Sequence, residues 1–355
     1  MAGRIDQVLA GFAEGDAISN EATILQDIFR RWGKESEIYV DVRHVSPVLR
    51  EQSRPLESYT GGRDDVLIHH YGIASPAVDT FLKAPGRKVL IYHNITPTHF
   101  YRGFDDGIAR QLEQARAGLR TVLSAADAIW ADSEFNASEL RELGTYNIKV
   151  LPLLFSIAHF NLPPDPAISR KFRAPMKNLL FVGRVAPNKR IEDLIQAFAW
   201  YHRLINRQSR LVIVGSERST PRYYLMLAML ASDLKLQNVC FERFASPQGL
   251  TAYYEMADVF VTASEHEGYC LPLVEAMHKG VPVIARRGGG IPEALGGAGV
   301  MYEDLGPGEL AQLIHLVLTD KRTRRDVLES QRRRMADLNR RQPEEELRVL
   351  LKEIR

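Results

Sequence analysis

Cysteine is nearly absent. Among 355 residues only Cys240 and Cys270 carry a thiol, far apart and outside any C-x-x-C pair. This excludes a disulfide framework and the clustered thiolates of a structural zinc site. Long apolar runs are also missing, and no stretch approaches the ~18 residues that a spanning helix needs. The opening Met1-Ala-Gly-Arg-Ile-Asp-Gln carries charge where a secretory leader needs an apolar core. A cytoplasmic protein is therefore expected, the inner face of the plasma membrane included. Charge of one sign is lacking as well: 46 Lys+Arg face 44 Asp+Glu, a net +2. That balance argues against a dedicated nucleic-acid binder. No G-x-G-x-x-G opens a helix after a strand, which removes the dinucleotide-binding fingerprint of a dehydrogenase; Gly288-Gly-Gly-Ile-Pro reads as a loop before Glu293.

What is present is an ordinary globular balance, 45% hydrophobic and 25% charged, over a length that predicts two domains, each with its own core. Short Val/Ile/Leu-rich runs recur at Ile5–Gly11, Glu37–Val42, Val66–Gly72, Val89–Asn94, Ala128–Ser133 and Lys149–Leu154. They resume at Asn178–Gly183, Leu211–Gly215, Val239–Phe244, Val259–Ser264 and Val281–Ala285. The runs are continuous, not alternating, as in parallel strands buried on both faces. Helical spacing lies between them, as at Ile191, Leu194, Ile195 and Phe198. The order predicts an α/β protein of two doubly wound parallel sheets. The prolines of Asn161-Leu-Pro-Pro-Asp-Pro-Ala mark the boundary. The expected domains are 1–165, 166–335 and a C-terminal helix, 336–355, crossing back to the first. An arginine-dense stretch between Arg322 and Arg341 reads as a solvated helix face, because Asp326, Glu329 and Asp337 interrupt it. A peripheral contact with anionic lipid headgroups is the sharper alternative.

Two segments carry chemistry. Ser264-Glu-His-Glu-Gly-Tyr-Cys-Leu-Pro-Leu-Val-Glu-Ala-Met follows a strand. Gly268 marks a loop, Pro272 suits a first helical turn, and Gly280 suits the position past its end, so a helix is expected over Leu271–Lys279. Its N-terminus, with free N–H groups at the carboxyl end of a parallel strand, suits a phosphate. Glu267 in the loop and Glu275 a turn inside would then accept hydrogen bonds from sugar hydroxyls; the plainer reading is that both complement the helix dipole. In Phe181-Val-Gly-Arg-Val-Ala-Pro-Asn-Lys-Arg-Ile-Glu, a strand ends at Gly183 and a helix is expected from Lys189. Arg184 and Lys189 could grip one diphosphate, or be two surface cations.

With Gly183-Arg184…Lys189 and Glu267…Glu275 quoted, the chain resembles the retaining glycosyltransferases of family 4, which have the GT-B fold of two Rossmann-like domains. The likeness is strongest over 178–320. The first half carries Gly15-Asp16-Ala17, Tyr92-His93-Asn94 and Ser133-Glu-Phe-Asn at strand ends. The resemblance implies that Arg184 and Lys189 bind the donor diphosphate, Glu275 the ribose and Glu267 the donor sugar. Amides around Cys270 and Leu271 would meet the distal phosphate, and Gly268 and Tyr269 would be among the donor-binding residues. Gly15 and Asp16 would line the donor site, backbone near Arg243 and Phe244 would read the base, and His93 would sit by the reacting centre. A structural hydrogen-bonder is the other reading of His93, and His70 is a lesser candidate. Without an Asp-x-Asp at a strand end, Arg184 and Lys189 would replace a metal ion, so no metal or other cofactor is expected. Cys270 is given no nucleophilic role. The implied partners are a nucleotide sugar and a glycan or lipid-linked acceptor; Thr96–Gly107, with Phe100, Tyr101 and Phe104, could hold that acceptor or pack on its own domain. A nucleotide-sugar epimerase and a non-catalytic scaffold on the same fold are the alternatives.

Overall fold

The structure, a computed structural model, describes residues 3–354 apart from Phe244 and the side chains of Ala158 and His159. The chain forms two compact units: 1–99 with 107–156 and 342–355, and 100–106 with 157–341. The second unit resumes at Ile157, ahead of the break expected after residue 165, and the closing segment from Gln342 belongs to the first unit.

The first unit is a seven-stranded parallel sheet in the order β3-β2-β1-β4-β5-β6-β7. Its strands are β1 (Ile5–Leu9), β2 (Ile38–Val40), β3 (Arg54–Pro55), β4 (Val66–Tyr71), β5 (Arg87–Tyr92), β6 (Ala128–Ala131) and β7 (Ile148–Val150). The second is a six-stranded parallel sheet, β10-β9-β8-β11-β12-β13. It comprises β8 (Lys177–Val182), β9 (Ser209–Val214), β10 (Val239–Glu242), β11 (Val259–Thr262), β12 (Val283–Arg286) and β13 (Val300–Tyr302). Each expected apolar run overlaps a strand, although β7 ends at Val150 and Leu151–Leu154 of its run continue without regular structure. The edge strands β3 and β13 were not expected: one is two residues long and holds a proline, the other three residues and only partly buried at Val300 and Met301. Little of either strand is buried, so their sequences lack the apolar run that marks a strand buried on both faces.

Helices cover the sheet faces with their apolar stripes. In the helix Ala17–Arg31, Leu25, Ile28 and Phe29 pack with Ile5, Val66, Ile68 and Val89. The same core takes Leu347 and Ile354, the first from the helix Pro343–Glu353. The second core gathers Phe181, Ile195, Phe198, Leu211, Ile213 and Val261. The segment 100–106 belongs to this second unit: Phe104 packs edge-on against Tyr223, centroids 5.3 Å apart. Tyr101 is buried. Phe104 thus packs within the unit to which 100–106 belongs. No described helix is long and apolar enough to cross a membrane.

The arginine-dense helix Lys321–Arg340 is used on both sides. Arg324 donates to the carbonyl of Asp258, and Arg334 to those of Ala294 and Glu293. Arg322, Arg325 and Arg340 form exposed ion pairs with Asp326, Glu329 and Asp337.

Candidate functional site

In the second unit, two loops are zipped together by backbone. The loop after β8 bends through a short 3-10 turn, Pro187–Lys189, and the helix starts only at Ile191, with Arg190 left-handed (φ 50°) in front of it. The helix start expected at Lys189 is thus corrected by two residues, because Pro187 builds a turn of its own. Lys189 does not face the helix dipole uncompensated, and Arg190 pairs with Asp193 at 3.1 Å. Buried Asn188 donates from Nδ2 to the carbonyl of His266 (2.9 Å) and accepts at its own carbonyl from the Glu265 N–H (2.9 Å). This clamp, unnoticed in the sequence, brings Lys189 Nζ to 2.5 Å from Glu267 Oε1. A short polar residue between Pro187 and Lys189 was its only signal.

Glu267 is nine-tenths buried. Burial disfavours its charge, but Lys189, with hydrogen bonds from Ser264 and Cys270, outweighs that and holds the carboxyl below its ordinary value. Cys270 is left-handed (φ 69°) and precedes the helix Leu271–His278, as expected to within a residue. Burial and then Glu267 push its thiol up, so it stays protonated and poorly nucleophilic. Tyr269 is buried and Gly268 half-buried. Glu275, a turn into the helix, accepts from the Tyr254 hydroxyl at 2.7 Å; burial raises it from 4.5 to about 7.

The run Gly288-Gly289-Gly290 supports this loop from behind. A Cβ on Gly289, at φ +54°, would lie 2.2 Å from the Glu267 carbonyl oxygen, and one on Gly290 would lie 2.0 Å from that of Gly268. The Gly290 N–H donates to the Glu267 carbonyl at 2.9 Å. Only glycine permits backbone to approach backbone this closely. Gly183 and Arg184 follow β8 at the start of the first loop. Arg243, by contrast, is exposed and pairs with Glu217 at 3.0 Å. Phe244 lies outside the described residues.

In the first unit, His70 on β4 is in register with Ile91 on β5, so His93, two residues on, shares its face. The rings are 5° from parallel and meet edge to edge, with His70 Nδ1 2.8 Å from His93 Nε2. His93 Nδ1 lies 3.1 Å from Asp132 Oδ2, and Asp132 also accepts from Asn136. Glu21 Oε1 accepts from the Leu154 N–H at 2.9 Å, while buried Oε2 has no hydrogen-bond partner, 3.7 Å from His93 and 3.9 Å from His70. Gly15 sits at φ +73° and Asp16 caps the helix behind it, accepting from the Ser19 N–H at 3.0 Å. The sequence reading named His93 and His70 but missed Glu21, Asp132 and Gln7. Glu21 had a signal: with Leu25 and Ile28 it falls on the buried stripe of its helix, where a carboxylate is out of place.

Known proteins of similar sequence identify the family. The D-inositol 3-phosphate glycosyltransferase of Corynebacterium glutamicum (strain R) is 33% identical over 296 residues, 76% of this chain and 70% of that protein. The chain belongs to the glycosyl transferases group 1 family. The family's own profile, described as "Glycosyl transferases group 1", matches residues 167–334, the stretch that holds Gly183, Lys189, Glu267 and Glu275. The serotype-specific mannosyltransferase WbdA of Escherichia coli is 24% identical over 267 residues; the match covers 72% of this chain and 32% of that longer protein. Among solved structures, Anabaena HepE in complex with UDP and glucose superposes with TM-score 0.74 at 18% identity, over 98% of this chain and 99% of that one. The group 1 member described here thus has the GT-B fold, with two Rossmann-like parallel-sheet units.

Proposed function

We propose that this group 1 glycosyltransferase moves a sugar from a nucleoside diphosphate, UDP or GDP, to a hydroxyl of a glycan or lipid-linked glycan, with anomeric configuration retained. The carrying observation is the Lys189–Glu267 pair, set by the Asn188 clamp at the N-terminus of the helix that holds Glu275. A cation for a phosphate, a helix N-terminus for the next phosphate and two carboxylates for neutral hydroxyls form a matched set for a nucleotide sugar. The complex of HepE with UDP and glucose supports that class of ligand.

In this reading Lys189 and Arg184 bind the diphosphate and offset the charge that grows on it as the glycosidic bond breaks, so no metal ion is needed there. Glu267 orients the sugar and Glu275 the ribose. The acceptor meets the first unit, beside His93, with Gly15 letting backbone come close. A donor phosphate oxygen takes the acceptor proton on the face the leaving group vacates, and the protein supplies position and charge.

The test is thermal unfolding and transfer assays with UDP-, GDP- and ADP-sugars, each in EDTA and in Mg²⁺. One nucleoside diphosphate should raise the melting temperature equally in both; at 100 times its Kd a ligand adds about 2.7 kcal/mol. The product should keep the donor's anomeric configuration by proton NMR. No shift with any nucleotide sinks the reading, and an isomerised donor without acceptor makes the protein an epimerase.

A further inference from the structure

The buried cluster of the first unit fixes its own protons. Gln7 Nε2 donates to the carbonyl of Ala22 at 2.8 Å, which leaves Gln7 Oε1 to face His70 Nε2 at 2.9 Å. An amide oxygen only accepts, so His70 carries its hydrogen on Nε2. A neutral His70 then has a bare Nδ1, and the 2.8 Å contact with His93 Nε2 requires that His93 donate. On its other side His93 Nδ1 faces a carboxylate oxygen of Asp132, whose second oxygen is already an acceptor for Asn136. Both ring nitrogens of His93 therefore face acceptors, and an imidazole that donates twice is an imidazolium. The two ring nitrogens that face Glu21 stand at hydrogen-bond length, closer than the ~3.3 Å between two nitrogens held at 2.0–2.1 Å on a tetrahedral ion. At this separation the two rings share a proton.

We propose that Gln7, His70, Asp132 and Glu21 position His93 and hold its ring as an imidazolium, so that it acts in the reaction as a fixed positive charge and not as a general base. The catalytic clause rests on the transferase reading above; the protonation state does not. The charged groups around the ring agree. Burial alone would lower its pKa, but Asp132, then Glu21 and Asp16, raise it above the ordinary 6.5. His70 is driven well below that value by burial, then by the charge of His93 and by His69. Asp132 is the principal counter-charge; Glu21, with Oε2 unpartnered, stands off the ring, its own carboxyl raised by burial from 4.5 to about 7 and drawn back by His93, and Asp16 acts from the helix cap. A base must be unprotonated to work; a ring that already donates on both sides has no lone pair to offer.

The test is long-range ¹H–¹⁵N correlation NMR of the full-length, ¹⁵N-labelled protein across pH 5.5–9, which reads ring protonation without reference to any activity. At pH 7 His93 is expected doubly protonated and His70 singly protonated at Nε2. A His93 ring with one proton at pH 7 overturns the proposal, whatever the enzyme transfers. Glu21→Gln keeps the shape and removes the counter-charge, and should lower the His93 midpoint; an unchanged midpoint counts against Glu21 as a positioning residue. Should the Gln variant fail to fold, Asp132→Asn is read in the same way. In transfer assays kcat should fall as pH climbs through the His93 midpoint. A rise there identifies a base and overturns the catalytic clause while leaving the nucleotide-binding test above intact.

Discussion

The two units assemble their polar residues in opposite ways. In the second, Lys189, Glu267 and Glu275 come from two segments, 183–190 and 264–275, and the pairing that matters spans one clamp, Asn188 to His266. In the first, Gln7, Glu21, His70, His93 and Asp132 arrive from five separate elements and meet only because four strands are in register. A local motif tolerates drift in the rest of its domain, whereas a cluster assembled from distant elements does not. The second unit carries Lys189 and Glu267 on loops that leave the central strands β8 and β11, while the first has sunk two carboxylates and two rings into its interior.

That contrast can be broken by substitution. The largest effect is expected from Lys189→Ala, which removes a diphosphate ligand and leaves Glu267 buried without its partner. kcat should drop by at least about 10²–10³, and steady-state rates with saturating donor will show it. Turnover within a few-fold of the parent would remove Lys189 from the mechanism. Next is Gly289→Ala. A Cβ 2.2 Å from the Glu267 carbonyl, at a left-handed φ, cannot be fitted without moving the loop. Destabilisation should exceed ~1 kcal/mol by denaturant midpoint, with nucleotide affinity lost in parallel. An unaltered affinity would mean the glycine run supports the fold alone.

A third test sets Glu275 against pH. Its carboxyl is raised from 4.5 to about 7 in the fold. The folded state thus binds the proton more tightly than the unfolded chain, so this group's contribution to stability is greatest below pH 4.5, declines as pH rises towards 7 and is constant above. Glu275→Gln should flatten that decline in melting temperature across pH 4.5–7. Nucleotide affinity should move the other way in the parent, increasing with pH through about 7, because ribose hydroxyls donate to a carboxylate. Affinity flat with pH would detach Glu275 from the ribose. The smallest effect is expected from Arg325→Ala. Its partners Asp326 and Glu329 are exposed, and the change in stability should stay within about 0.5 kcal/mol. A larger change would show that this face is more than solvated surface.

The same contrast explains what could be read from the chain alone. Glu267 and Glu275 are legible because a loop and a helix place both by local rules, glycine, proline and period. The central strands are legible because burial on both faces writes a continuous apolar run. The edge strands Arg54–Pro55 and Val300–Tyr302 were not, since little of either is buried. Glu21 and Asp132 escaped because their significance lies in what they approach, His93, 72 and 39 residues away in sequence. Helix starts set by a preceding turn are equally hidden: Pro187 delayed the one at Ile191, and no periodicity records that. The aromatics of 100–104 were read with their neighbours and belong to the other unit, which local sequence cannot reveal.

The way the two units share the chain bears on how the protein is made. The polypeptide passes between them four times, at 99/100, 106/107, 156/157 and 341/342. Leu347 and Ile354 lie in the core of the unit that begins at the N-terminus. Synthesis delivers β1 of that core about 340 residues before Leu347. Although domains generally fold in order of synthesis, here the unit that holds β1 also needs side chains made after Arg341, so its core is completed only once the residues of the second unit have been made. Ordered emergence thus gives the second unit, whose own residues are finished by Arg341, the chance to fold first and to serve as the tether from which the final helix closes the other.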